Sequence, residues 1–324
     1  MNMALFGRTD TSPAATLSNS QRAKGCVAYD PLALEPTYGY DPSLAPGIVF
    51  TVAFFLSLTA HTVQTIRSRK WWYSAFALGA LGMWYIVLGL NKADRLTQGE
   101  AIGWAGRAGA HHCPYSKTLF SLQISILIIS PCFFSAGIYY ILGQLINQHG
   151  RRYSPVSSRT YLYTFITFDV LSIIIQAIGG GMASSAGGKS PPGNTKPGTH
   201  VMMSGIIIQL VSMSIFGILW LIFLWRARAE PYSRTLVLAT TFSAFCIIVR
   251  NFYRAIELSQ GWKGYLITHE VYFAVLDGAL MTLAVGVFNI FFPARYLSGE
   301  PETEKVSFGS PEQLSQEGLE PKAT

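Results

Sequence analysis

Seven apolar runs, each close to the length that crosses a bilayer, fill the sequence between Leu44 and Phe292. A spanning helix takes about 20 residues. The runs are Leu44–Ile66, Trp71–Gly89, Thr118–Leu142, Tyr161–Met182, Val201–Trp225, Thr235–Leu258 and Val271–Phe292. In hydrocarbon each backbone N–H and C=O must be satisfied within the chain, which makes such runs helices. The sequence therefore predicts an all-α, polytopic membrane protein with seven transmembrane helices. Composition agrees. Only 13% of the 324 residues are charged, against about 25% in soluble domains.

Basic residues orient the helices, because short cytosolic loops hold the Lys/Arg excess. Arg67, Arg69 and Lys70 follow the first run, Arg151, Arg152 and Arg159 the third, and Arg226, Arg228 and Arg234 the fifth. The alternate loops carry less, with Lys189 and Lys196 in one and Lys263 in another. The N-terminus is thus expected outside and the C-terminus in the cytosol. Residues 1–43 read as an extracellular segment, 44–292 as the membrane domain, and 293–324, rich in Glu, Ser and Pro, as a disordered cytosolic tail. The net charge of +7 is dispersed among loops, so it does not point to nucleic acid.

Several chemistries lack their residues. Ala183–Ser190 reads ASSAGGKS, a relaxed phosphate-loop pattern. That pattern needs a strand before it and a helix after it. Here it follows a membrane helix and precedes two prolines, so no nucleotide is expected. Zinc hydrolysis needs convergent ligands, yet His111, His112, Cys113, His200 and His269 are scattered. No metal, no cofactor and no enzymatic activity are expected. No lysine lies inside a run to form a retinal Schiff base. Cys132 and Cys246 fall within apolar runs, whereas Cys26 and Cys113 both fall outside the cell and are candidates for a disulfide.

The charges inside the last runs carry the functional argument. Arg250, Arg254 and Glu257 lie on one run, and Glu270 and Asp277 on or beside the next. A charge at the middle of a membrane helix costs roughly 2.5–3.5 kcal/mol on insertion scales, so these side chains must face inward. Residues seven apart share a helix face. Arg250 and Glu257 have that spacing, as do Glu270 and Asp277, Asp169 and Gln176, and Glu100 and Arg107. Four helices then aim polar stripes at one shared interior. Arg250 and Asp277 lie at a similar depth, about 12 Å from the outer surface, and are expected to pair. Glu257, Glu270 and Asp169 would remain for a cationic amphiphile, with His269 beside them. Gly179, Gly180 and Gly181 serve either close helix packing or a hinge.

These stretches resemble the fungal lipid-translocating exporter family, the RTA-like membrane proteins linked to aminocholesterol resistance and sphingoid-base release. The resemblance rests on Tyr38-Gly-Tyr-Asp-Pro-Ser-Leu, Glu100-Ala-Ile-Gly-Trp-Ala-Gly-Arg107 and Ser130-Pro-Cys-Phe-Phe-Ser-Ala-Gly-Ile-Tyr139. It also rests on the Asp169–Gly181 stretch, on Arg250-x-x-x-Arg-x-x-Glu257 with Gln260-Gly261, and on Gly264-Tyr-Leu-x-x-His-Glu270 with Asp277. It implies seven spans, an outside N-terminus, and export or transbilayer movement of lipid-like or toxic amphiphiles. Against the family pattern, residues 83–98 (MWYIVLGLNKADRLTQ) are extra. Gly82-Met83-Trp84 can be encoded GGTATGTGG, which contains the splice donor GTATGT, so a retained intron is suspected. Without the insert Glu100 lies inside the second span; with it Glu100 is expected in a loop.

The sequence thus predicts a plasma-membrane transporter of sphingoid bases, sterol amines or drugs that contributes to resistance. Its partners are membrane lipids or amphiphilic small molecules, with no nucleic acid and no nucleotide. A seven-helix receptor or lipid sensor is the alternative use of the same buried charges.

Overall fold

The computed structural model describes residue 29 and residues 36–68, 99–187, 193–228, 233–262 and 264–297. Among these residues the regular structure is helical throughout. Six helices are long and apolar enough to cross a membrane. They are α1 (Leu44–Ser68), α3 (Lys117–His149), α4 (Ser158–Gly187), α5 (Lys196–Arg226), α6 (Arg234–Ser259) and α7 (Glu270–Ile290). A shorter helix, α2 (Gly99–His112), stands between α1 and α3. The run Trp71–Gly89, the suspected insert 83–98, Cys26 and the tail beyond residue 297 lie outside the described residues.

Helices adjacent in sequence pack side by side, α7 closes back onto α1, and α3 meets α6 across the middle. Polar ties pin the ring. Trp220 on α5 donates to Thr241 Oγ1 on α6 (2.8 Å), Ser243 on α6 to the Ala284 carbonyl on α7 (2.8 Å), and Asn289 on α7 to Ser57 Oγ on α1 (2.6 Å). The outer faces are apolar, with Ile174 and Ile178 on α4 and Val211, Ile218 and Leu221 on α5 exposed. An apolar belt of this extent marks a lipid-facing surface.

The crossing of α4 and α5 is the tightest in the ring. A Cβ on Gly179 would stand 2.3 Å from the Met202 nitrogen, and one on Gly198 2.4 Å from the Ala183 nitrogen. A Cβ on Gly205 would meet Gln176 Cγ at 2.6 Å. Close approach through small residues is how membrane helices gain packing when lipid offers no hydrophobic drive between them. Gly180 has only Met202 Sδ nearby, and Gly181 has open space. The helix continues unbroken through all three glycines to Gly187. The described part of the ASSAGGKS stretch is therefore regular helix and not a phosphate-cradling loop.

Glu100 occupies the first turn of α2 and is fully buried. The expectation that residues 83–98 would leave it in a loop is overturned. Trp104 and Arg107, four and seven residues on, share its inward face. That face fits because Gly103 lets α2 close on α3, where a Cβ would strike Leu127 at 2.5 Å.

Candidate functional site

Arg250 and Asp277 form the predicted ion pair, with Nε to Oδ1 at 2.8 Å and both side chains almost wholly buried. The same Oδ1 also accepts from Arg254 Nε at 3.0 Å. Arg254 turns its Nη1 to Glu257 Oε2 at 2.7 Å, and Glu257 Oε1 accepts from the Tyr253 hydroxyl at 2.9 Å. Toward the end of the bundle where α2 finishes and α7 begins, Arg107 Nη2 meets Glu270 Oε1 at 2.8 Å. The Phe273 ring joins the two tiers, its centroid 4.8 Å from the Arg107 guanidinium and 5.1 Å from that of Arg254. Such cation–π contacts gain strength away from water.

Two local irregularities make this geometry. Proline 131 sits inside α3 and has no N–H to give to the carbonyl four residues back, which is Leu127 O. Arg250 Nη2 donates to that same carbonyl. On α7, residues Ala274–Ala279 form a π-helical turn with Asp277 in it. Such turns add a residue to the helix and re-aim side chains, often at functional sites. The Pro131 offset was legible in the sequence as a proline inside an apolar run. The π turn had no sequence signal.

A strap from the segment before α1 closes this end of the bundle. Gly39, at φ +76°, turns the chain so that Tyr38 and Tyr40 both reach the bundle. The Tyr38 hydroxyl donates to Gln123 Oε1 at 2.9 Å, Arg107 donates to the Tyr40 hydroxyl, and Ser43 N–H donates to both Glu270 oxygens. Burial raises the Tyr40 phenol above its ordinary pKa, and the adjacent Arg107 guanidinium only partly offsets this. Tyr40 therefore stays neutral and presents a lone pair to Arg107. The motif containing these tyrosines was visible in the sequence, but its role as a strap was not.

The single shared interior divides into two. Asp169, Ser172 and Gln176 on α4 face α3 and α5, where Gln176 Nε2 donates to Gln209 Oε1 (3.4 Å) and Gln209 Nε2 to Cys132 Sγ (3.2 Å). Cys132 on α3 stands between Asp169 and Arg250, within electrostatic reach of both. Glu257 and Glu270 are not free acids, because each is held by an arginine. Asp169 differs: it is 3% exposed, and neither carboxylate oxygen accepts a hydrogen bond. Tyr139 is beside it, with its hydroxyl directed to Met213 Sδ. His269 lies at the surface, bonded to the Tyr265 carbonyl (2.7 Å), and does not join the cluster. Cys113 is disulfide-bonded, while Cys132 and Cys246 are free thiols.

Two cavities of about 490 Å³ flank α4. One runs between α3 and α4 past Ile124, Ile128, Ile173, Gln176 and Trp262. The other lies between α4 and α5, lined by Phe165, Phe168, Val211 and Ser212, and Ser212 Oγ has no hydrogen-bond partner. Both include side chains on the lipid-facing surface. Their volume falls in the range that holds drug-sized molecules, roughly 300–1,000 Å³.

A ring of apolar helices around a buried ion-pair network defines a polytopic integral membrane protein. The chain belongs to the RTA1-like protein family, whose model matches residues 97–300. It is 31% identical to the sphingoid long-chain base transporter RSB1 of Saccharomyces cerevisiae, over 84% of this chain and 77% of the relative. It is 28% identical to protoporphyrin uptake protein 1 of the same yeast, covering 78% of this chain and 90% of the relative. The yeast protein RTA1 is 28% identical over 79% of this chain and 84% of its own length. No solved structure matches.

Proposed function

We propose that this protein is a transporter that moves lipid-like or toxic amphiphiles across or out of the membrane, and that sphingoid bases, sterol amines and drugs are its substrate class. The observation that carries the reading is the pair of lipid-facing cavities flanking α4, the helix that also holds Asp169, a buried carboxylate free of hydrogen bonds that lies between the two linings without itself lining either. A hydrocarbon tail fits the apolar grooves, and an ammonium headgroup is the natural counter-ion of Asp169. The relative named for sphingoid long-chain base transport supports a cationic lipid-like cargo, and the one named for protoporphyrin uptake supports the broader reading of amphiphile transport. The role in resistance and the plasma-membrane location belong to this proposal.

Purified protein in vesicles, given a fluorescent sphingoid base, is expected to exchange it between leaflets at least tenfold faster than empty vesicles. Asp169→Asn keeps the shape of the side chain and removes its charge. This change is expected to raise the half-saturating concentration for the cationic amphiphile about tenfold and to leave that for a neutral long-chain alcohol unchanged. Saturable binding with no leaflet exchange would instead make the protein a lipid sensor. Equal losses for both cargoes would make Asp169 structural.

The N-terminus is proposed to lie outside, so that the strap of Tyr38 and Tyr40 caps the extracellular end. Protease added to intact cells is expected to remove an N-terminal tag and spare a C-terminal one. The reverse pattern would overturn the loop-charge argument.

A further inference from the structure

Three arginines and four carboxylates meet in the central network. Arg107, Arg250 and Arg254 are each bonded to an acid, and those acids are Glu270, Asp277 and Glu257. Glu100 is the fourth carboxylate. It is 0% exposed, and neither of its oxygens has a hydrogen-bond partner. Among the described residues, the charged groups facing it are Asp277 from α7 and Arg250 and Arg254 from α6. The other described helices packed against α2 bring no further charge to their buried faces. Their buried titratable side chains there are His61 on α1 and Cys132 and Tyr139 on α3. The Trp104 indole lies beside Glu100 without reaching hydrogen-bond geometry. The second oxygen of Asp277 and Nη2 of Arg254 are also unused.

A buried carboxylate with no hydrogen bond, next to a second carboxylate, is costly when ionised. One proton removes the excess, leaving three acids opposite three arginines. Neither of the two cavities is lined by Glu100. No group of three or more metal-ligating side chains occurs among the described residues. A proton needs no volume.

We propose that Glu100 is an exchangeable proton site that couples cargo movement to a proton gradient; this rests on reading the chain as an amphiphile transporter. With the proton bound, Arg250 and Arg254 both stay on Asp277, as observed. When the proton leaves to water, Glu100 becomes a second acceptor for the same two guanidiniums and competes with Asp277. Asp277 sits on the π turn, where the helix already holds an extra residue and can shift register. The charge change at Glu100 thereby biases α7 between two arrangements, the form that switching by a local charge generally takes. The proton is the only species transferred; no covalent bond in the protein is made or broken apart from the O–H of the Glu100 carboxyl.

Two measurements test this together. Infrared difference spectra of the protein in nanodiscs should contain a protonated-carboxyl C=O band that titrates with pH and shifts in heavy water. The band is expected to vanish in Glu100→Gln and to persist in Asp169→Asn. In vesicles, a quaternary-ammonium amphiphile of fixed charge is used so that its own ionisation cannot respond to pH, and membrane potential is clamped. An imposed pH gradient should then accumulate the probe at least tenfold, and a protonophore should abolish this. Glu100→Gln should retain downhill exchange and lose the accumulation. Should that variant not fold, Glu100→Asp replaces it and must move the band. A wild-type spectrum without such a band, or one unchanged by either substitution, overturns the proton site. A titrating band with downhill exchange but no accumulation overturns the coupling. Absence of any exchange overturns the transport reading itself, whatever the band does.

Discussion

Asp277→Ala is expected to cut the yield of folded protein in the membrane severely. Oδ1 of Asp277 accepts from Arg250 and from Arg254, and all three side chains are buried. Breaking one buried pair by removing a partner costs about 3–5 kcal/mol, because the remaining charge has no compensation. Here two guanidiniums lose their shared acceptor at once. Arg254 still has Glu257, and Arg250 still has the Leu127 carbonyl and Asn251 Oδ1. Those contacts, and Glu100 as a substitute acceptor once it gives up its proton, soften the loss without restoring the shared bridge. The check is the yield of monodisperse protein after detergent extraction, with Asp277→Glu as comparison. The double exchange Arg250→Asp with Asp277→Arg is expected to fail as well. It would set an arginine beside Arg254 and aim a carboxylate at the Leu127 carbonyl, acceptor against acceptor. Recovery of folding in the double exchange would show that the pair acts alone and not as part of a three-residue bridge.

Gly179→Ala should lower the melting temperature far more than Gly181→Ala, although the two positions are two residues apart in one helix. The added methyl at Gly179 meets backbone, the Met202 nitrogen at 2.3 Å and the Gly198 oxygen at 2.7 Å. Backbone cannot rotate away as a side-chain tip can, so α4 and α5 must separate. Overpacking a well-filled site costs about 1–3 kcal/mol, sometimes more, and this contact belongs at the upper end. At Gly181 nothing lies within 4 Å, so a methyl there should be neutral. Equal melting temperatures for the two variants would mean the helices have slack at their crossing. The same pair of variants separates packing from hinge motion. If Gly181→Ala slows transport without changing stability, the glycine run also supplies flexibility.

The fold class was legible from the run lengths, because hydrocarbon leaves the backbone no alternative to helix. The inward stripes were legible too, since 3.6 residues per turn puts Arg250 with Glu257, and Glu100 with Arg107, on one face. The Arg250–Asp277 pair followed from equal depth on adjacent helices. The sequence could not say that four stripes serve two interiors. Periodicity gives the face of a helix but not its rotation relative to partners, and here the α4 stripe turns toward α3 and α5 while the others converge on α6 and α7. Nor could it tell which acids are already neutralised. Glu257 and Glu270 read like Asp169 and Glu100 until contacts show that arginines hold the first two and leave the others without a hydrogen bond. His269 directly precedes Glu270 yet faces out, because the chain breaks at that residue before α7 begins. The π turn carries Asp277 to the two arginines of α6 and directly follows Phe273, whose ring packs on Trp104 of α2, contacts that exist only in the assembled bundle. Local sequence sets helix, face and depth; the identity of each charge's partner is a property of the assembled bundle.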